Sequence, residues 1–221
     1  MERHFKLGTR GSRLALKQVE EFFDRLRKTH PAFTAQIVPI DTYGDRDKKT
    51  PISSIEGTDF FTREIDNALC AGTIDLAVHS AKDLPDVLSP GLTIAATTAP
   101  HEQFDALVAK NAVSLDNLTS GAKIATSSVR RKTQLKKYRE DFQIVDIRGT
   151  IEERLSILDN SAIDAVIIAS CALVRLGLEH RITQRIPLDI LIPHPLQGAL
   201  AIMTRENDDA LIKIISSIDG K

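Results

Sequence analysis

The chain reads as an α/β protein of two lobes, each built on a βαβ-rich sheet of mixed or parallel strands, with an interdomain cleft between them. Short apolar runs alternate with amphipathic helical segments along nearly the whole chain, the pattern of crossover connections. The alternation runs in two series, joined by irregular crossings near residues 99–103 and 192–198. The strand-like runs also end alike, in a small or hydroxyl residue and an arginine or lysine just before the next helix.

The first series opens with a strand at 5–8 and a helix at 12–29. Ala15, Val19, Phe22, Phe23 and Leu26 recur there at the spacing of one helical face, and Ser12 is a suitable N-cap. Strand 36–41, helix 60–70, strand 74–79 and strand 92–98 follow, an order that predicts parallel βαβ packing. Loop 43–59 interrupts them and is strongly polar through Gly44, Asp45, Arg46, Asp47, Lys48 and Lys49. Polar loops of that length in compact domains act as lids or disordered excursions.

The second series begins with Asp105-Ala106-Leu107-Val108 as a strand. A short helix at 114–118, strand 123–126, helix 128–138, strand 142–147, helix 150–159, strand 163–169 and a helix from about 171 continue it. The stretch Ile192-Pro193-His194-Pro195-Leu196-Gln197-Gly198 breaks regular structure before strand 199–203, and a helix at 207–218 returns to the first lobe. These boundaries place residues 1–98 with 199–221 in domain 1 and residues 103–192 in domain 2.

Composition narrows the partners. A chain of 221 residues that is 42% hydrophobic can bury a real core. Its 29 Lys and Arg against 30 Asp and Glu give a formal net charge of -1, so no global field draws nucleic acid or an anionic membrane. The N-terminus has no apolar signal region and no run approaches the ~18 apolar residues of a membrane span, so a cytoplasmic protein is expected. Cys70 and Cys171 lie far apart, without CxxC spacing or a ligand cluster around either; neither a disulfide framework nor a metal site is expected.

The cationic loop ends are Gly8-Thr9-Arg10-Gly11-Ser12, His79-Ser80-Ala81-Lys82-Asp83, Thr126-Ser127-Ser128-Val129-Arg130-Arg131, Ile147-Arg148-Gly149 and Ser170-Cys171-Ala172-Leu173-Val174-Arg175. Open α/β sheets bind ligands at the carboxyl ends of their strands, where helix N-termini add donors, so these ends predict one polyanionic ligand. No GxxxxGK[ST] phosphate loop occurs, which favours carboxylates.

In this order, the motifs resemble the porphobilinogen deaminase (hydroxymethylbilane synthase) family. The matching residues are Gly8-Thr9-Arg10-x-Ser12-x-Leu14-Ala15, Asp75-Leu76-Ala77-Val78-His79-Ser80-x-Lys82-Asp83-Leu84-Pro85, Thr126 to Arg131, Ile147-Arg148-Gly149-x-x-x-x-Arg154-Leu155, Leu173-x-Arg175-Leu176-Gly177-Leu178 and Gln197-Gly198-Ala199. The resemblance implies a fold like the type II periplasmic-binding proteins and a cytoplasmic transferase of porphyrin and heme biosynthesis. In that chemistry porphobilinogen loses ammonia to give an electrophilic azafulvene, which the free α-carbon of the next pyrrole attacks. Each ring brings an acetate and a propionate, and the planar, always-charged arginine fork suits them.

By this resemblance Arg10, Arg130, Arg131, Arg148, Arg154 and Arg175 hold the ring carboxylates, supplemented by Ser12, Ser80, Lys82, Thr126, Ser127, Ser128 and Gln197. Asp83 matches the catalytic aspartate, which stabilises the positive charge developing on the pyrrole. Asp83 also has a plainer reading as an N-cap or turn residue before Leu84-Pro85. Phe61 aligns with an aromatic that faces the pyrrole chain, while His79, inside an apolar strand, reads as a packed core residue. Arg13, Arg139 and Arg185 read as solvated charges or weak ion pairs.

The resemblance has two departures. Family members carry a third, C-terminal domain whose cysteine holds a dipyrromethane primer, and no residue here matches that cysteine; Cys171 reads as a buried core thiol. Where the family has a glycine- and lysine-rich run, this chain has Ser53-Ser54-Ile55-Glu56-Gly57-Thr58-Asp59. The expectation is a short-form enzyme acting on porphobilinogen or an oligopyrrole, with a separately encoded completing domain as a candidate partner. The alternatives are a relative that binds or senses a carboxylated pyrrole without catalysis and, more distantly, a protein-interaction subunit.

Overall fold

The protein is described here by a computed structural model covering residues 4–47, 50 and 58–220. Lys48, Lys49 and the sequence departure at 53–57 lie outside the described residues. In chain order the strands are β1 (Phe5–Arg10), β2 (Ala35–Ile40), β3 (Leu76–Ser80), β4 (Leu92–Thr97), β5 (Asp105–Ala109), β6 (Lys123–Ala125), β7 (Gln143–Val145), β8 (Ala165–Ala169), β9 (Gln184–Arg185) and β10 (Leu200–Arg205). The helices are α1 (Arg13–Leu26), α2 (Tyr43–Arg46), α3 (Arg63–Cys70), α4 (Val129–Tyr138), α5 (Ile151–Asn160), α6 (Ser170–Arg175) and α7 (Asp209–Ile215). Among the described residues no helix is long and apolar enough to cross a membrane.

Two compact units emerge. The first comprises residues 4–47, 58–101 and 198–220, and the second residue 50 and residues 102–197. The first holds a sheet in the order β2-β1-β3-β10-β4 and the second a sheet in the order β7-β6-β8-β5-β9. The strand directions match. In each sheet the first three strands are parallel and the fourth runs against its neighbours. The alternation in sequence therefore predicts the parallel triplets, whereas β10 and β5, the strands that follow the crossings, are antiparallel.

In the first unit α1 forms as its pattern predicts. Ser12 Oγ accepts the Ala15 amide at 3.2 Å, and Val19, Phe22 and Leu26 bury against Leu7, Leu76, Val78 and Ile202. The opposite sheet face carries Ile65 and Leu69 of α3, packed with Ile74, Ala77 and Met203. Gly8 has a steric reason, since a Cβ there would lie 2.3 Å from Ile74 Cδ1. Pro39, which lacks an amide donor, sits in β2 at the sheet edge.

In the second unit Leu107, Ile124 and Ile167 of three neighbouring strands pack with Leu135 of α4 and Phe142. A capping box starts α5: the Thr150 amide donates to Glu153 Oε2 at 2.7 Å and the Glu153 amide to Thr150 Oγ1 at 3.2 Å. The helix expected at 114–118 is instead a pair of turns, closed by Asn117 N to Ser114 O and Leu118 N to Leu115 O. Leu115 and Leu118 are buried three positions apart, so one turn is enough to place both and no helix is needed. The apolar spacing was real, but the run was too short to propagate.

Candidate carboxylate-binding and catalytic site

On the first unit the parallel pairing of β1 with β3, Leu7 opposite Leu76 and Gly8 opposite Ala77, brings their carboxyl ends to the same sheet edge. Arg10 ends β1, and Ser80 ends β3 before the 3-10 turn Ala81–Asp83. Asp83 is exposed and Lys82 half-buried. Ser80 Oγ accepts from buried Gln18 at 2.8 Å, which ties the strand end to α1.

Arg10 is engaged within its own unit. Its Nε donates to Asp45 Oδ1 at 3.1 Å and Oδ2 at 3.2 Å, Nη2 also meets that carboxylate, and the guanidinium lies 4.6 Å from the centre of the Phe61 ring. Asp45 in turn accepts from Thr42 N and Oγ1, the cap of α2. Burial opposes ionisation of Asp45, but the bonds and charge of Arg10, with help from Thr42, outweigh it and bring the carboxyl below its ordinary range. Gly44 lies under the aromatic pair, where a Cβ would come 2.3 Å from Phe61 and 2.8 Å from Phe60.

His79 lies inside β3, 6% exposed, and its Nε2 is buried without a hydrogen-bond partner. Burial lowers its pKa from 6.5 to about 4, with the Asp83 charge opposing and the Arg10 charge adding to the shift.

On the second unit β7, β6 and β8 are parallel neighbours, so the loops and helices that follow them, carrying Arg148, Thr126–Arg131 and, at the end of α6, Arg175, leave one edge. Ser127 is buried between two of those loops, donating to Ile147 O at 2.6 Å and accepting the Ile147 amide at 2.9 Å. Thr126 is buried too, while Ser128, the N-cap of α4, is half-buried. Gly149 adopts φ +100°, which lets the chain turn after Arg148, and Arg154 Nε donates to its carbonyl at 2.9 Å. Arg148, Arg154 and Arg175 are all half-buried.

Antiparallel pairing sets Asp105, the first residue of β5, opposite Ala169, the last of β8, and so at that same edge. Its carboxylate is fully buried. Oδ2 accepts from Arg130 Nη2 at 2.8 Å, and Oδ1 from Arg131 Nη2 at 2.6 Å and Gln197 Nε2 at 2.9 Å. Burial alone would raise its pKa, but Arg131 and then Arg130 overcome that and hold it at about 2. Arg131 also donates from Nη1 to Ile167 O at 3.2 Å, and Arg130 Nη1 meets Ile192 O. Gln197 is fully buried and donates further to Gln103 O at 2.6 Å.

Ser127 and Gln197 thus have their polar atoms engaged inside the unit, as do the two terminal nitrogens of Arg131, whose Nε is buried without a hydrogen-bond partner, whereas Arg130 keeps a 24% exposed side chain. Asp105 was absent from the sequence-based set. Its only signal was an acid opening an otherwise apolar strand, and only the antiparallel pairing reveals where that acid goes. Cys171 is buried on α6, and Cys70 is exposed at the end of α3.

A family profile described as "Porphobilinogen deaminase, dipyromethane cofactor binding domain" matches residues 5–213. A porphobilinogen deaminase of Syntrophus aciditrophicus (strain SB) is 41% identical over 216 residues, covering 98% of this chain and 71% of that protein. One from Roseiflexus sp. (strain RS-1) is 41% identical over 221 residues, covering 100% and 73%. Among solved structures, a periplasmic substrate-binding protein of an ABC transporter from Coxiella burnetii aligns with a TM-score of 0.58 at 16% identity, covering 97% of this chain and 91% of that one. At that identity the likeness shows the fold alone, that of the type II periplasmic-binding class.

Proposed function

The chain belongs to the porphobilinogen deaminase family, and on that premise we infer that it is a transferase of tetrapyrrole biosynthesis, condensing porphobilinogen units with release of ammonia. Residue roles follow from the two strand edges. Asp83, exposed and beside the Arg10-bearing strand end, is assigned to the pyrrole that loses ammonia. Its fixed negative charge stabilises the cation that develops as the aminomethyl C–N bond breaks, and it does so more strongly in the transition state than in the ground state. Arg10 and Lys82 take carboxylates on the first unit. On the second, Arg130, Arg148, Arg154 and Arg175 take them, with Ser128 as an additional donor. Thr126, Ser127, Arg131 and Gln197 are assigned to positioning these groups, because burial keeps their side chains from solvent.

The observation that carries this reading is the charge balance around Asp105. One buried carboxylate is shared by two guanidiniums, so the cluster retains a net positive charge that a ligand carboxylate would neutralise. The same donor set fits dipyrromethane, the cofactor in the family profile's description, whose rings bear acetate and propionate groups. When bound, that group supplies the pyrrole α-carbon from which the chain is extended. Arg130, Arg148, Arg154 and Arg175 would hold it by its carboxylates.

The test is ammonia release from porphobilinogen, followed alongside the intact mass of the protein before and after addition. Release of ammonia with pyrrole-sized mass increments or free bilane is the expected result. Binding without ammonia release in an intact, folded protein would refute the transferase reading.

A further inference from the structure

We propose that Asp105 is a positioning residue for substrate binding, acting through Arg130; this rests on the reading of Arg130 as a carboxylate ligand. A guanidinium offers five N–H donors in a rigid plane. Asp105 and the Ile192 carbonyl take donors from both terminal nitrogens of Arg130, one from each. The plane is thereby fixed from two sides while other donors remain. A long side chain near the start of a helix would otherwise sample many rotamers, and ordering it would be charged against ligand affinity.

Asp105 is itself immobilised. It is fully buried at the start of β5, its backbone carbonyl accepts the Ile186 amide at 2.8 Å, and Arg131 and Gln197 hold its other oxygen. Arg131, only 8% exposed in its side chain, completes the frame instead of reaching the ligand. The two adjacent arginines of the motif therefore divide the work. Arg131 keeps the carboxylate ionised and in place, and the carboxylate aims Arg130. Because the carboxyl is held at about 2, this support stays constant across neutral and mildly acidic pH.

The test compares Asp105→Glu, Asp105→Asn, Arg130→Lys and the Asp105→Asn/Arg130→Lys double variant, measuring porphobilinogen affinity by calorimetry and stability by thermal melting. Asp105→Glu keeps the charge that balances Arg131 but moves the oxygens by one methylene. It should fold and bind several-fold more weakly. Asp105→Asn should bind about tenfold more weakly, as expected for loss of a hydrogen bond to a charged group. In the double variant the two losses should overlap instead of multiplying, because both act on one fork.

Parental affinity in Asp105→Glu would mean that only charge compensation matters and would overturn the proposal. Multiplying losses would overturn it too, as would failure of Asp105→Glu to fold, which would make the residue purely structural. Should Asp105→Asn alone fail to fold, Asp105→Glu decides the matter. Parental affinity in Arg130→Lys is a different failure: it removes Arg130 from the binding set and with it the functional reading beneath this proposal.

Discussion

The guanidinium of Arg10 is clasped by the carboxylate of Asp45, so the side chain that ends β1 already holds an acid of its own unit. The same carboxylate caps α2 through Thr42, which couples that short helix to the charge on Arg10. An incoming ring carboxylate that uses Nε and Nη2 of Arg10 has to compete with Asp45 for them. Asp45→Asn keeps an oxygen for Thr42 while removing the competing charge. Porphobilinogen should bind a few-fold more tightly to it, at a stability cost of about 1 kcal/mol for a partly exposed pair. Calorimetric titration beside a thermal melt measures both, and weaker binding would show that Asp45 orients Arg10 instead of competing for it.

Asp83→Asn should separate chemistry from binding. The residue is exposed in a short turn, so the fold should tolerate the change. Affinity for porphobilinogen should stay near that of the parent while ammonia release falls at least a hundredfold, the scale seen when a preorganised electrostatic stabiliser is lost. Turnover at the parental rate would return Asp83 to a purely structural role.

Arg130→Lys and Arg131→Lys should differ, although the residues are adjacent and the substitutions identical. Lysine cannot reproduce a forked geometry. Arg131 is buried and bonded to Asp105 and Ile167 O, so its variant should lose roughly 1–3 kcal/mol of stability. Arg130 is more exposed, and its variant should melt closer to the parent while binding porphobilinogen more weakly. Equal melting temperatures in the two variants would contradict this division.

His79 should make stability depend on pH. Its folded pKa of about 4 lies below the ordinary 6.5, so between those values the unfolded chain binds a proton that the folded one does not. Stability from this group is therefore full above pH 6.5 and declines as pH falls toward 4, by on the order of 3 kcal/mol in total. Denaturant titrations at pH 7.5 and pH 5 should show the decline in the parent. In His79→Gln that part of the decline should vanish, whatever the variant's absolute stability. An identical pH slope in both proteins would mean that His79 does not titrate as its burial implies.

Local sequence determined a great deal. The 3.6-residue spacing of Val19, Phe22 and Leu26 and the cap at Ser12 set α1, and Thr150 with Glu153 set the start of α5, because such preferences act within a turn or two of the chain. The apolar runs ending in hydroxyl and cationic residues marked the loops after β1, β3, β6, β7 and β8, and motif order identified the family. Strand direction was less accessible, since an apolar run such as Ala106-Leu107-Val108 looks the same whichever way its neighbours run. Only the antiparallel seating of β5 against β8 revealed that Asp105 lies beside the end of β8. The pairing of Arg10 with Asp45, and the different fates of Arg130 and Arg131, were likewise decided by tertiary structure. Ionic partners are chosen by proximity in space and by burial, and neither is carried by the spacing of charges along the chain.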